Sequence, residues 1–400
     1  MKPFSYLRTG LACAALISLY ACGGGGGTAT PAADSGTLSL AMTDAPACGY
    51  DHVYVTVQKV RVNQSSTAAD SDAGWSEIVL NPAARLDLLS LTNGVLSELG
   101  QTPLPTGKYT QLRLVLADNG AAAPWANSVV PTGGTTEFAL KTPSGQQSGV
   151  KANIDIDIAA NKMADFVIDF NACKSVVSAG AAGNYLLKPV VTVIPRYISG
   201  VQGYVASNLA NGSTTVSLQQ GGVIVKATVP DSTGLFLLQP VAAGTYTLVV
   251  TAPGDTTEII NNVVVATDTV TSVNLSTTPL SLPVSTSGTA AGTVTVTPAP
   301  SSIDATVRAL QPLAGGSTVE IVDGPVDSIT GAYTYALPVA APMVASYVAG
   351  PGLLTFSADA GAAGKYSLEA TEPSSGGVVK TAGPVTITSG ITVTTNFTFP

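Results

Sequence analysis

The chain has 400 residues, of which 45% are hydrophobic and only 10% charged, and its formal net charge is −8. Typical globular chains are ~25% charged, and a charge-poor acidic chain has no basic footprint for nucleic acid. With a single histidine and four cysteines, it is poorly supplied for imidazole catalysis or for a Cys/His zinc centre, so neither a cofactor nor a metal is expected.

The N-terminus sets the compartment. Lys2 and Arg8 precede an uncharged apolar run, Leu11 to Ala21. That run is well short of the ~20 residues a membrane span needs and fits the core of a secretory signal. It ends in "LYAC", and five glycines, Gly23 to Gly27, follow Cys22. The pattern Leu19-Tyr20-Ala21-Cys22 resembles a bacterial lipobox, although Tyr20 replaces the usual small residue. The resemblance implies that Cys22 is acylated and becomes the new N-terminus. Residues 1–21 then form a lipoprotein signal peptide, and residues 22–35 a lipidated cysteine on a flexible Gly-rich tether. In such lipoproteins an aspartate after the cysteine favours the inner membrane. Gly23 stands there, so the resemblance implies an outer-membrane location, with the lipid anchor as the membrane contact.

With Cys13 and Cys22 set aside, Cys48 and Cys173 remain, and a lone pair in an exported chain reads as a disulfide. Closing so long a loop stabilises by about 4–5 kcal/mol in the chain-entropy model.

From Gly36 onward the sequence reads as strands. "TLSLAM", "VYVTVQKVRV", "YTQLRLVL", "NIDIDI", "FVIDF" and "YLLKPVVTVI" are β-branched runs with period-two alternation, punctuated by Gly, Pro, Asn and Asp. In "VYVTVQKVRV", Val53, Val55 and Val57 share one face while Val60 and Val62 fall on the other, which predicts a bulge near Gln58-Lys59. One helical turn is predicted at "GVLSELG", Gly94 to Gly100. Further on, "DSTGLFLLQPVAAGTYTLVV" from Asp231 is echoed by "DSITGAYTYALPV" from Asp327 and "AGKYSLEAT" from Ala363. Gly234 and Gly244 lie 10 residues apart, Gly331 and Gly364 33 apart, so the second copy carries an insertion of 23. "LPTGKYTQLRLVL" is a looser echo in the first part of the chain.

These repeats resemble the carboxypeptidase regulatory-like domain, a transthyretin- or prealbumin-like sandwich within the carbohydrate-binding-like folds. The stretches "LSLAMTDAPACGYDHVYVTVQKVRVNQ", "LLSLTNGVLSELGQTPLPTGKYTQLRLVL", "FVIDFNACKSVV" and "YLLKPVVTVIP" resemble the bacterial domain-of-unknown-function family 4382, whose members are typically secreted and often lipoproteins. The expected fold class is all-β, with tandem β-sandwich domains of immunoglobulin-like or prealbumin-like type. The bodies are expected at 36–199, 200–279 and 280–400, the last a diverged repeat with insertion. "TTPLSLPVSTSG" is read as a linker between separately folding pieces.

Candidate chemistry is sparse. His52, beside Asp51, has no Gly-x-Ser-x-Gly elbow to serve. Asp155 and Asp157 share a strand face, and Asp165 and Asp169 could join them across a hairpin as carboxylates for hydrolysis or calcium. The plain reading is a solvated strand face. Asp44 in "TDAP" reads first as an Asx-turn and second as a ligand contact. Trp75 and Trp125 lie in polar loops, where exposed indoles stack on sugars and buried ones anchor the loop. Lys226 with Asn274 and Glu258 is the candidate set for an isopeptide crosslink in the middle domain, and an exposed lysine is the plainer reading. The expectation is a non-enzymatic envelope lipoprotein with a structural, adhesion or interaction role, its partner an envelope protein or polysaccharide. A surface carbohydrate-binding module is the alternative and a hydrolase the third.

Overall fold

Alternating β-branched sequence becomes strand wherever one face can be buried, and the computed structural model is built on that rule from Ser35 to Phe399. It describes residues 34–44, 49–142, 149–180, 183–350 and 354–400. Cys22, Cys48 and the signal segment lie outside the described residues.

The first body packs two sheets face to face. One has four strands in the order Val191–Pro195, Met163–Phe170, Ser35–Asp44, Ser97–Pro105, with the middle pair parallel. The other has eight strands and is centred on Tyr50–Asn63, which pairs with Ser76–Asp87, Gly107–Leu116 and Ser128–Pro131. Leu38, Leu40 and Met42 from one sheet meet Val53, Val55, Val60 and Leu114 from the other in a closed core. The pairing register of Tyr50–Asn63 slips between Val57 and Lys59 against both neighbours, so the predicted bulge is present. It turns both valine sets inward: Val53, Val55 and Val57 are buried, and so are Val60 and Val62.

Two local expectations are corrected. Gly94 to Gly100 is not a helical turn. A 3-10 turn occupies Leu88–Leu91 instead, and Ser97–Pro105 is a strand paired with Ser35–Asp44. Sheet pairing that buries Leu99 and Leu104 overrides the local helical pattern. The predicted hairpin between "NIDIDI" and "FVIDF" is also absent. Val150–Ile158 closes the eight-stranded sheet while Met163–Phe170 lies in the four-stranded one. The chain crosses between the two at a turn that holds Asn161 at φ 57°.

The second body sets a three-stranded sheet against a six-stranded one. The larger sheet runs Val223–Thr228, Thr215–Gln220, Gly244–Thr251, Glu258–Val265 and then Met343–Ser346 and Ser357–Ala358. The last two strands come from the insertion in the later repeat. Glu258 to Asn261 pair in parallel with Met343 to Ser346, and Tyr347, Leu354 and Phe356 pack on the second core. The insertion thus covers an edge the second body would otherwise leave open. The supposed linker is packed as well: Leu280 and Leu282 are buried in the second core, and Leu280 bridges to Val205. The third body has two four-stranded sheets, one centred on Ser287–Val296 and one on Thr306–Pro312 and Lys365–Thr371. A small cluster of Val249, Ile259, Leu313, Val319 and Ala362 joins residues of the second and third bodies.

The repeat is a physical one. Asp231 Oδ1 accepts from the Thr233 and Leu235 amides and the Thr233 hydroxyl, and Asp327 Oδ1 accepts from the Ile329 and Thr330 amides and the Thr330 hydroxyl. Gly234 and Gly331 both sit at positive φ (84° and 70°), where a Cβ would come within 2.3 Å of the Val205 carbonyl oxygen and 2.0 Å of that of Val294. Tyr246 and Tyr109 each donate a hydroxyl to the carbonyl four residues back, Ala242 at 2.9 Å and Pro105 at 3.3 Å, so the echo in the first body is structural too. Tyr366 donates to Pro338 instead, across the insertion, at 2.7 Å.

Ala345 in the donated strand is 4% exposed, so a carboxylate there would be desolvated. Ala345→Asp should speed hydrogen exchange of the Glu258–Val265 amides, in a different body, by at least tenfold. Unchanged exchange there would show that the strand does not hold that edge.

Candidate functional site

The side chains singled out in the sequence are distributed rather than gathered. Asp44 is 1% exposed at the end of its strand, and its Oδ1 accepts from the Ala172 amide at 2.9 Å. It ties together segments 128 residues apart in sequence and is buried rather than facing solvent; the residues that an Asx-turn ahead of Pro46 would use lie outside the described residues. Trp75 lies under two guanidinium groups, Arg61 at 4.6 Å and Arg113 at 4.9 Å from the ring centroid, and its indole N–H donates to the Ala69 carbonyl. It anchors its loop by cation–π contact. Trp125 is half-buried and its carbonyl accepts from Arg85 Nε. His52 bonds Asp87 at 2.7 Å and stacks on Tyr54, whose ring also carries Arg85 at 3.8 Å. Asp155 and Asp157 point to solvent, and Asp155 pairs with Lys108. Asp165 meets Arg196 at 3.6 Å, and Asp169 goes elsewhere, so the four carboxylates do not converge. Among the described residues no group of three or more metal-ligating side chains occurs. Cys173 lies in the short helix Ala172–Ser175.

The isopeptide set is likewise dispersed, and Lys226 is not exposed. It is 4% accessible, and its Nζ contacts Asp169 Oδ2 of the first body at 2.8 Å. Asn274 spends its side chain on the Tyr204 and Thr278 backbone.

That Lys226–Asp169 pair belongs to a polar junction that sequence reading missed. Lys174 of the first body pairs with Asp323 and lies 4.0 Å from Glu320, both of the third. Arg308 bridges Glu320 at 3.3 Å and Glu369 at 2.5 Å, and donates to the Gly222 carbonyl of the second body. Gln219 and Glu320 exchange two 2.7 Å hydrogen bonds between the Gln219 amide and the Glu320 backbone. Asn93, in the stretch read as helical, bonds Thr228, Leu235 and Leu237 of the second body. Lys174 sits in the short helix Ala172–Ser175, and the others sit on strands or turns with ordinary alternation. Only their partners, more than 50 positions away for Lys226 and Asp169, reveal the lock.

Beside the junction lies a cleft of about 960 Å³ lined by all three bodies. Its lining includes Tyr50 and Asp51 of the first, Ser213, Asp255 and Thr257 of the second and Ile321 of the third. Lys, Arg and His are absent from that lining. Burial pushes the Tyr50 phenol up to about 12, with Tyr185 adding to the shift.

Two predictions arise from the junction. Removing one member of a buried pair costs about 3–5 kcal/mol, whereas replacing both by apolar residues is close to neutral. Asp169→Asn should therefore destabilise strongly in urea, and Asp169→Leu with Lys226→Met should recover most of the loss. Equal damage from both would contradict the account. The second concerns pH. Burial pushes Glu258 up to about 7, and burial with the Asp323 charge does the same to Glu320 against the pull of Lys174 and Arg308. A carboxyl raised on folding stabilises fully below its unfolded value of 4.5, and this stability is lost as pH rises through about 7. The effect is on the order of 3 kcal/mol per group. Urea melts at pH 5 and pH 8 should give the higher stability at pH 5, and Glu258→Gln should remove about half of the difference, leaving the share of Glu320. Higher stability at pH 8 would contradict it.

Residues 35–189 match a family model described as "Domain of unknown function (DUF4382)". No curated protein sequence is significantly similar to the chain. Among solved structures, a type II cohesin–X-dockerin complex from Acetivibrio cellulolyticus shares 31% identity over 22% of this chain and 58% of that one, with a TM-score of 0.18. The chain thus matches little more than half of that protein's length. The Bacillus anthracis TIE protein shares 11% over 92% of this chain and 51% of that one (TM-score 0.18). The major pilin subunit BcpA of Bacillus cereus shares 13% over 91% and 99% (TM-score 0.16). Likenesses at these scores carry no argument about function.

Proposed function

We propose that this chain is a non-enzymatic cell-envelope lipoprotein: a rigid β-sandwich body with a structural or interaction role, held on the outer membrane through acylated Cys22. One observation carries the reading. Buried ion pairs and a strand donated between bodies lock the three into a single unit, which suits a body that carries load or presents a surface on a flexible tether. The second and third bodies are read as carboxypeptidase regulatory-like sandwiches, supported by their shared Asp-led turn. The side chains that a catalytic reading would use are engaged structurally: His52 by Asp87 and Tyr54, Asp44 by Ala172. Trp75, covered by two arginines, is no open sugar platform.

A Cys48–Cys173 disulfide belongs to this proposal. Its support is register: Asp44 stands opposite Phe170 in parallel strands, four residues before Cys48 and three before Cys173 respectively. Non-reducing peptide mass spectrometry of the exported protein should find the linked pair, and two free thiols would refute it. Cys22→Ser should release the protein from the membrane fraction and abolish palmitate labelling, because the acyl chains supply the attachment. A variant that stays membrane-bound and labelled would overturn the anchor.

A further inference from the structure

We propose that the cleft between the three bodies binds a neutral, hydroxyl-rich ligand, a segment of uncharged glycan, at the end of the six-stranded sheet. Thr215 stands opposite Thr251 and Glu258 opposite Val250, so the segments around residues 211–215 and 251–258 converge on one sheet end. Among the described residues the Thr257 hydroxyl, in the cleft lining, is buried without a hydrogen-bond partner, and so are the Thr214 hydroxyl and Glu258 Oε2, each next in sequence to a lining residue. Thr257 itself lines the cleft, and Thr214 lies between two lining residues, Ser213 and Thr215. Buried polar groups are almost always satisfied by protein or by ordered water. The unpartnered Thr257 hydroxyl in the lining marks a place where water, and ligand hydroxyls exchanging with it, complete the structure.

The lining selects the chemistry. The cleft is of the size that encloses a drug-sized ligand, typically about 300–1,000 Å³. No cationic side chain lines it, so phosphorylated or uronic ligands would face Asp51 and Asp255 without a counter-charge. Asp255 is half-buried and has no ion-pair partner among the described residues. Asp51 keeps one carboxylate oxygen beyond the one that accepts from the Gly133 amide. Carboxylates that accept from vicinal hydroxyls, an aromatic ring at Tyr50 and apolar wall at Ile321 suit a sugar, which has a hydroxylated edge and an apolar face. A polyamine would pair with the same two carboxylates, and its binding is the competing outcome of the test. The inference goes beyond the envelope role proposed above and does not depend on the anchor.

The test uses the full chain on an array of neutral and anionic oligosaccharides, with spermine titrated separately. Titration of the best neutral glycan then compares Asp255→Ala with Asp157→Ala, an exposed carboxylate outside the cleft. The expected result is retention of neutral glycans only, a Kd raised about tenfold or more by Asp255→Ala and unchanged by Asp157→Ala. Unaltered melting of Asp255→Ala would show that the loss is one of binding. No neutral glycan retained, anionic glycans retained equally, spermine bound in their place, or the two variants behaving alike would each overturn the proposal. Failure here leaves Cys22 acylation and membrane fractionation untouched, so the two readings are separable.

Discussion

The contact between Lys226 and Asp169 is the constraint on which the arrangement of the bodies depends. Two charges are taken from water, and neither can be left alone without several kcal/mol of cost. Each therefore holds the other in place across the boundary between the first and second bodies. Lys174 does the same between first and third, and Arg308 closes the triangle by reaching both Glu320 and the Gly222 carbonyl. In a chain with 10% charged residues, spending several on internal pairs is informative: they specify geometry, a role buried polar groups serve in some systems.

Packing supports the same geometry. The insertion lends Met343–Ser346 to the sheet of the second body, so the edge of one body is finished by sequence from another. Without such cover, an edge strand presents a row of unpaired amides and carbonyls that invites association. The Asn93 turn works in the opposite direction, pressing the first body onto Leu235 and Leu237 of the second. Gly94 permits the approach: a Cβ there would stand 2.7 Å from Leu237 Cδ2.

Much of the fold was legible because it is local. Alternation announced the strands, the valine phase slip announced the bulge at Gln58, and the Asp-led turns announced the repeat. The errors came where tertiary contact outweighs local pattern. Gly94 to Gly100 has helical spacing, yet it serves as a docking turn and the start of a strand. The stretch "TTPLSLPVSTSG" has linker composition, yet Leu280 and Leu282 are buried. Lys226 on an alternating strand looked like any exposed lysine, because nothing in its neighbourhood names Asp169 as its partner. The cleft was invisible for the same reason, since its wall is assembled from three bodies and carries no motif.

The ion pairs and the donated strand make these bodies one mechanical unit. Scanning calorimetry of the exported chain, comparing calorimetric with van't Hoff enthalpy, should then show one transition with the two enthalpies in agreement. Three resolved transitions, each with the enthalpy of a single sandwich, would show that the ion pairs and the donated strand join bodies that fold and melt independently.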